Sequence, residues 1–179
     1  MNLFFRLLMV FIRASLSKQR VSVFATTRIR SRVMITDQDM FAHMTNSRYF
    51  SFSDLGVINY IVRTGAWPKL RKKGWFPVVC AESVVFTKML RSPQGFEVQT
   101  RLAGWDDTYI CLRHDFIRDE QTTATVRIVA RFASRKRQKV VMSDVTSLLD
   151  IDAASPPLGR DFLDMIENIE AARSVREPV

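Results

Sequence analysis

Between Thr45 and Gly65 the sequence puts Tyr49, Phe50, Phe52, Leu55, Val57, Ile58, Ile61 and Val62 on more than one side of a single helix. A helix that is apolar around much of its circumference has to be surrounded rather than laid on a wet surface. Thr45, Asn46 and Ser47 are each acceptable N-caps, and Gly65 with Pro68 just beyond closes the far end. At 1.5 Å per residue the helix runs roughly 27 Å, about the width of a sheet.

The flanking sequence supplies what could surround it. Residues 21–35 alternate: Val21, Val23, Ala25, Thr27, Ile29, Ser31, Val33 and Ile35 share one face, while Arg28, Arg30 and Arg32 lie on the other. Such a period of two predicts one long strand with a wet side. After the helix, residues 67–75 are basic and suit a short helical turn or loop. Pro77–Met89, Phe96–Ala103, Tyr109–Ile117 and Thr123–Ser134 are strand-like, and the connections at 92–95, 104–107 and 118–120 carry hairpin residues. The order is strand, helix, then a four-strand meander. It predicts an α+β fold in which one antiparallel sheet curls around one helix.

A chain of 179 residues suits one domain. The expected organisation is an apolar and basic helix over 1–20, a globular domain over 21–140, and an extension over 141–179. Residues 156–173, after Pro156-Pro157, should form an acidic, peripheral helix.

Residues 1–14, MNLFFRLLMVFIRA, are too short to span a bilayer, which takes about 20 apolar residues. They also lack the basic start and cleavage site of a secretory signal. A retained helix remains, docked on the body, on a partner chain, or peripherally in a membrane interface.

Charge narrows the partners. Lys and Arg number 27 against 18 Asp and Glu, a net charge of +9. No acid precedes Asp37, whereas Arg6, Arg13, Lys18, Arg20, Arg28, Arg30 and Arg32 all do; residues 121–143 are likewise acid-free. This field favours a polyanion, be it nucleic acid, anionic lipid or a nucleotide-bearing metabolite, or it is plain solvated surface. Nucleic acid is disfavoured, since no aromatic platform or reading motif accompanies the bases. Two Cys, Cys80 and Cys111, and two His exclude a disulfide scaffold, a four-Cys zinc site and a His-rich metal centre. No metal or cofactor is expected, and the compartment should be reducing, the cytoplasm.

The chemistry concentrates in Asp37-Gln38-Asp39-Met40-Phe41-Ala42-His43-Met44-Thr45-Asn46-Ser47-Arg48-Tyr49. A helix start offers unpaired N–H groups and partial positive charge, which stabilise an oxyanion. A carboxylate just upstream can serve as general base or nucleophile on a carbonyl held there. Those are two of the parts that ester or thioester cleavage needs. From the residues alone, Asp37 and Asp39 are equally suited to cap the loop, with His43 as a hydrogen-bond partner.

This stretch resembles the signature of hotdog-fold acyl-CoA thioesterases of the 4-hydroxybenzoyl-CoA thioesterase type, D-x-D-x-x-G-H-x-N-N-x-x-Y. Asp37, Asp39, His43, Asn46 and Tyr49 match it. The segments RTGAWPKLRKKGWFPVV and AESVVFTKMLRSPQGFEVQTRLAGWDD are similar to the thioesterase superfamily member 6 branch of that family.

The resemblance implies Asp39 as nucleophile or water-activating base and the backbone N–H near Asn46 as oxyanion donor. It implies loop-fixing roles for His43 and the Asn46 side chain, and a substrate-side position for Tyr49. It further implies a homodimer or tetramer with acyl-CoA in a cleft between subunits, and Arg135, Lys136 and Arg137 are candidates for the CoA phosphates. Two departures stand out: Ala42 replaces the usual Gly, and Thr45 the first Asn. They keep a second reading open, a non-catalytic acyl-CoA or lipid-associated protein of the same fold.

Overall fold

A computed structural model describes residues 2–17 and 20–175 of the chain, so expectations for residues 1, 18, 19 and 176–179 lie outside the described residues. In order, the elements are α1 (Asn2–Leu16), β1 (Thr27–Arg32), a 3-10 turn (Ile35–Asp37), α2 (Asn46–Arg63), α3 (Ala66–Lys73), β2 (Trp75–Phe86), β3 (Gly95–Trp105), β4 (Tyr109–Arg118), β5 (Gln121–Ser134), α4 (Met142–Leu148) and α5 (Arg160–Ser174). The strands form one sheet ordered β1-β3-β4-β5-β2. β1 and β3 are antiparallel, with Thr27 opposite Thr100 and Arg32 opposite Gly95. Asp119 and Glu120 join β4 to β5 with φ of 49° and 61°, the two positive values that a tight hairpin turn matched to strand twist requires.

The α+β class and the long helix agree with the sequence. The helix runs from Asn46 to Arg63, and Gly65 ends it at φ 77°, with its N–H on the Val62 carbonyl. The expected long first strand is shortened. Residues 21–26 turn instead, because the Ser22 hydroxyl accepts from the Phe24 N–H and the Ser22 carbonyl from the Ala25 N–H. A Ser side chain that competes for backbone groups in this way favours a turn over a ladder. The four-strand meander is corrected too. Only β3, β4 and β5 are sequential neighbours, and β2 lies beyond β5. Residues 87–94 are therefore a crossing link and not a hairpin: the Thr87 and Lys88 N–H groups reach the Thr123 carbonyl, and the Gln94 carbonyl receives the Val33 N–H.

Contacts group the chain into two compact units. The first comprises Met1–Trp67, Val84–Arg101 and Arg113–Val126. Within it α2 packs on α1 and β1. Tyr49 sits edge-on to Phe86 at 4.9 Å and tilted against Phe116 at 5.0 Å, and Phe52 sits edge-on to Phe96 at 4.9 Å. Deeper along α2, Gly56 lets the helix approach β3 and β4. A Cβ there would collide with the Thr100 hydroxyl and come within 3.1 Å of His114 Nδ1. His114 is fully buried and hydrogen-bonds the Thr100 hydroxyl at 2.9 Å.

The second unit comprises Pro68–Ser83, Leu102–Leu112 and Arg127–Val179. Its core of Tyr109, Cys111, Val129 and Phe162 is extended by Leu158, Met165, Ile166 and Ile169. The acidic final helix is thus more than peripheral: positions 162, 165, 166 and 169 form a helical stripe that packs on the strands. The Tyr109 hydroxyl donates to Glu170, and Arg127 pairs with Asp161. Gly104, at φ 154°, allows the chain at Pro156 to pass; a Cβ would lie 2.6 Å from the Pro156 carbonyl oxygen.

Burial pushes the His114 pKa down to about 3, with Asp115 pulling weakly the other way. The unfolded chain binds this proton below about pH 6.5, while the folded chain stays neutral there. Stability that depends on the neutral ring is therefore complete above pH 6.5 and lost as pH falls towards 3, by up to about 1.4 kcal/mol per pH unit. Urea titrations from neutral pH down to about pH 4 should show a shallower pH slope for His114→Gln than for wild type. Equal slopes would contradict this assignment.

Candidate functional site

Residues 37–45 fold back on themselves ahead of α2. The Thr45 N–H reaches the Asp37 carbonyl at 2.9 Å, Gln38 and Met44 form a bridge, and the Asp39 N–H reaches the His43 carbonyl at 2.9 Å. The turn at the tip closes with Ala42 at φ 59°. A non-Gly residue pays roughly 1–2 kcal/mol in that region, which is the cost the missing Gly foretold. The Leu90 carbonyl, from the crossing link, accepts the Met44 N–H at 2.7 Å and holds the loop from behind.

The two carboxylates have separate environments. Asp37 is fully buried. Its Oδ2 accepts from Arg6 Nη2 at 2.8 Å and from the Met34 N–H at 2.9 Å, and Arg48 Nε lies 3.4 Å from Oδ1. Asp37 is consumed by structure. Asp39 is exposed, and only its Oδ1 is engaged, by the Phe41 N–H at 2.9 Å and the His43 N–H at 3.2 Å. Both donors belong to its own loop, so they orient the carboxylate and leave Oδ2 without a partner among the described residues.

α2 begins without a side-chain cap: Thr45 is the N-cap, and its hydroxyl makes no capping bond. The first helical N–H with a partner is that of Arg48, on the Thr45 carbonyl at 2.8 Å. The Asn46 and Ser47 N–H groups have no acceptor among the described residues. Unpaired donors at the positive end of an 18-residue helix are what a developing oxyanion needs. His43 turns to Arg91, whose Nη2 lies 2.7 Å from His43 Nε2. A guanidinium only donates, so Nε2 is the acceptor and the ring proton sits on Nδ1.

Asp39, His43 and Asn46 therefore share one loop-and-helix start. Tyr49 is placed differently: it is buried one turn into α2, its phenol pKa raised by burial and partly offset by the Leu90 backbone. Arg135, Lys136 and Arg137 belong to the second unit. Arg137, at φ 58°, lines a cavity of about 650 Å³ with Arg131, Lys139 and Arg173. Arg135 is instead tied by its N–H to the Gly74 carbonyl at 3.0 Å, and the Lys136 N–H to the Ser134 hydroxyl at 3.2 Å. Cys111 is no rival nucleophile, since it is fully buried and its pKa is pushed up to about 12, chiefly by that burial. Sequence reasoning missed Arg6, Arg48 and Arg91. Their only advance signal was that they are bases within reach of an acidic loop.

Residues 33–155 match the model of the thioesterase-like superfamily. Protein THEM6 of Danio rerio is 29% identical over 114 residues, covering 64% of this chain and 56% of that protein. The chain spans between half and two thirds of the length of the curated relatives it matches. A gentisyl-coenzyme A thioesterase structure superposes with a TM-score of 0.61 at 16% identity, covering 68% of this chain and 99% of the other. The DHNA-CoA thioesterase of Staphylococcus aureus gives a TM-score of 0.61 at 11% identity, covering 86% and 97%. At such identities these likenesses establish the fold, a hotdog fold.

Loss of the Arg6 guanidinium should leave a buried carboxylate short of a partner. Arg6→Ala is expected to cost about 2–4 kcal/mol in denaturant unfolding. In a double-mutant cycle with Asp37→Asn the coupling should exceed about 1 kcal/mol; additive effects would show that the pair holds nothing together.

Proposed function

The chain belongs to the thioesterase-like superfamily, and from that premise we propose that it hydrolyses acyl-CoA thioesters to a free acid and CoA. One observation carries the reading. Asp39 keeps a carboxylate oxygen free on an ordered loop, while the Asn46 and Ser47 N–H groups at the start of α2 have no acceptor among the described residues.

In this reading the substrate carbonyl lies between them, its oxygen towards the two N–H groups. Asp39 Oδ2 takes a proton from water as the water oxygen bonds to the carbonyl carbon, or attacks that carbon itself. The oxyanion that forms is held at the helix start, where fixed donors cost no reorganisation. As the intermediate collapses, the C–S bond breaks. In the general-base course the CoA sulfur leaves with the proton that Asp39 had accepted. In the nucleophilic course it leaves as thiolate, after which water cleaves the acyl–Asp39 anhydride to release the acid and restore the carboxylate. His43, fixed through Arg91, sets the loop and thereby the Asp39 carboxylate; the Asn46 side chain, at the first helical position, is on hand for the substrate.

The arginine-rich cavity beside Arg137 has the charge to take CoA phosphates, supported by Arg131, Lys139 and Arg173. Arg135 and Lys136 add to the same field. β2 is an edge strand of twelve residues on which Phe76, Val79, Val85 and Phe86 are exposed. An edge of that length and character favours pairing with a second copy, which supports a homodimer as the working unit. The free thiols of Cys80 and Cys111 are in keeping with the cytoplasm.

Ala42 in its strained conformation and Thr45 in place of the usual Asn favour one competing reading, an acyl-CoA binder without turnover. Release of CoA thiol from a panel of acyl-CoAs decides between them. Wild type should release thiol, and Asp39→Asn should lower kcat about 100-fold or more with KM within about threefold. Equal rates for the two proteins would remove Asp39 from the chemistry, and saturable binding with no thiol release by wild type would favour the binder.

A further inference from the structure

Helix α1 is built with its apolar side outwards. Phe4, Phe5, Leu8, Met9, Ile12 and Leu16 are all exposed, Phe4 and Phe5 by about two thirds. At about 100° per residue they fill an arc of roughly 140°, interrupted only by Ser15. The inner side carries Leu7, Val10 and Phe11, half-buried, with Ala14 buried and Arg6, which reaches Asp37 and lies 4.9 Å over the Phe52 ring. The Phe11 ring meets Trp67 edge-on at 5.9 Å. The helix is thus firmly docked by its inner side, and the apolar arc is what docking leaves outside. A helix on a fully wet surface shows the opposite pattern.

Beneath the same helix, α1, α2 and β1 enclose a pocket of about 370 Å³. Arg13, Arg28, Arg30 and Arg63 line it with Asn59, against the single carboxylate of Glu97. Glu97 lies 3.7 Å from Arg28 and 3.4 Å from Arg30. Arg13 and Arg63 have no carboxylate partner among the described residues, and Arg63 Nε is buried with no hydrogen-bond partner. A buried guanidinium donor without a partner, set among other arginines, suits an anion, and guanidiniums match phosphate oxygens by geometry as well as charge.

We propose that the chain docks on anionic phospholipid bilayers, with the outer arc of α1 in the acyl layer and a headgroup phosphate in the arginine pocket. An apolar arc and a cationic pocket beside one helix correspond to the two ends of one phospholipid. A second copy that met this face with its own α1 would bring no acid to the pocket, since residues 2–36 hold none. At 15 residues, about 22 Å, α1 is too short to cross a bilayer. No helix among the described residues is long and apolar enough to do so. Such a helix lies in the interface plane, where apolar burial and anionic lipid act together. The proposal stands on α1 and its pocket and does not depend on thioester hydrolysis.

Co-sedimentation of the full chain with vesicles tests it. One set is phosphatidylcholine alone and the other equal parts phosphatidylcholine and phosphatidic acid, at matched ionic strength. Binding should be about tenfold or more tighter to the anionic set. Phe5→Glu with Leu8→Glu should abolish binding to both sets. Arg13→Gln, an exposed change that leaves the core untouched, should cut the anionic preference, and Arg13→Gln with Arg63→Gln should remove it. Arg71→Gln with Lys72→Gln on α3 removes the same charge as the double pocket variant and should leave binding as in wild type. The proposal is overturned if wild type ignores both vesicle types, or if the α3 control loses as much as the pocket variants. It is equally overturned if the arc variant changes oligomeric state in light scattering and leaves vesicle binding intact.

Discussion

A carboxylate taken wholly out of water has to be paired, because its desolvation costs several kcal/mol that only close opposite charge and hydrogen bonds return. Asp37 is that group. It gathers Arg6 from α1, Arg48 from α2 and the Met34 N–H from the end of the first strand segment, while its own carbonyl receives the Thr45 N–H. Three chain segments, α1, the turn at residues 34–37 and the start of α2, meet on one residue, and the meeting point lies at the foot of the loop that bears Asp39. With the foot fixed, the pairing of residue 39 with 43 decides where the tip points, and the pairing of 37 with 45 decides where α2 begins.

Two acids in the same short motif thus do unlike work because of their surroundings. Asp37 spends its charge on assembly. Asp39, exposed and held by its own loop through one oxygen, leaves the other unengaged among the described residues. The same cluster bears on α1. Drawing Arg6 inwards fixes the rotation of the helix, and that rotation obliges Phe4, Phe5, Leu8 and Met9 to face out. The same rotation turns Leu7, Val10, Phe11 and Ala14 to the body beside Arg6, and the apolar residues beyond that face are left outside.

The parts of the fold that were legible in the sequence are those written in local pattern. The ends of α2, the tight turn at Asp119-Glu120 and the existence of five strands come from periodicity and turn residues acting over a few positions. The strand expected over 21–26 failed because the Ser22 side chain offers a turn that alternation does not register. The place of β2 at the far edge failed because a short Pro- and Gly-bearing link looks like a hairpin whether or not its strands pair. Helix α4 is only seven residues long and left no periodic trace. At the candidate site, Asp39, His43 and Asn46 were legible because they are neighbours in sequence. The contacts of Arg6 and Arg91 span 31 and 48 residues, and no local pattern encodes a pairing of that kind. The Ala42 departure is legible for the same reason, since Gly at such a position answers a local demand for positive φ, here 59°.

The central claim is geometric: a thioester carbonyl is held between the free oxygen of Asp39 and the first amides of α2. A crystal structure of the protein with a non-hydrolysable thioether or ketone analogue of acyl-CoA tests it most directly. The account predicts the carbonyl oxygen of the ketone analogue about 3 Å from the Asn46 or Ser47 nitrogen. It predicts Asp39 Oδ2 about 3–3.5 Å from the carbonyl carbon, or one water away from it. An analogue seated with its carbonyl turned away from both groups would contradict it.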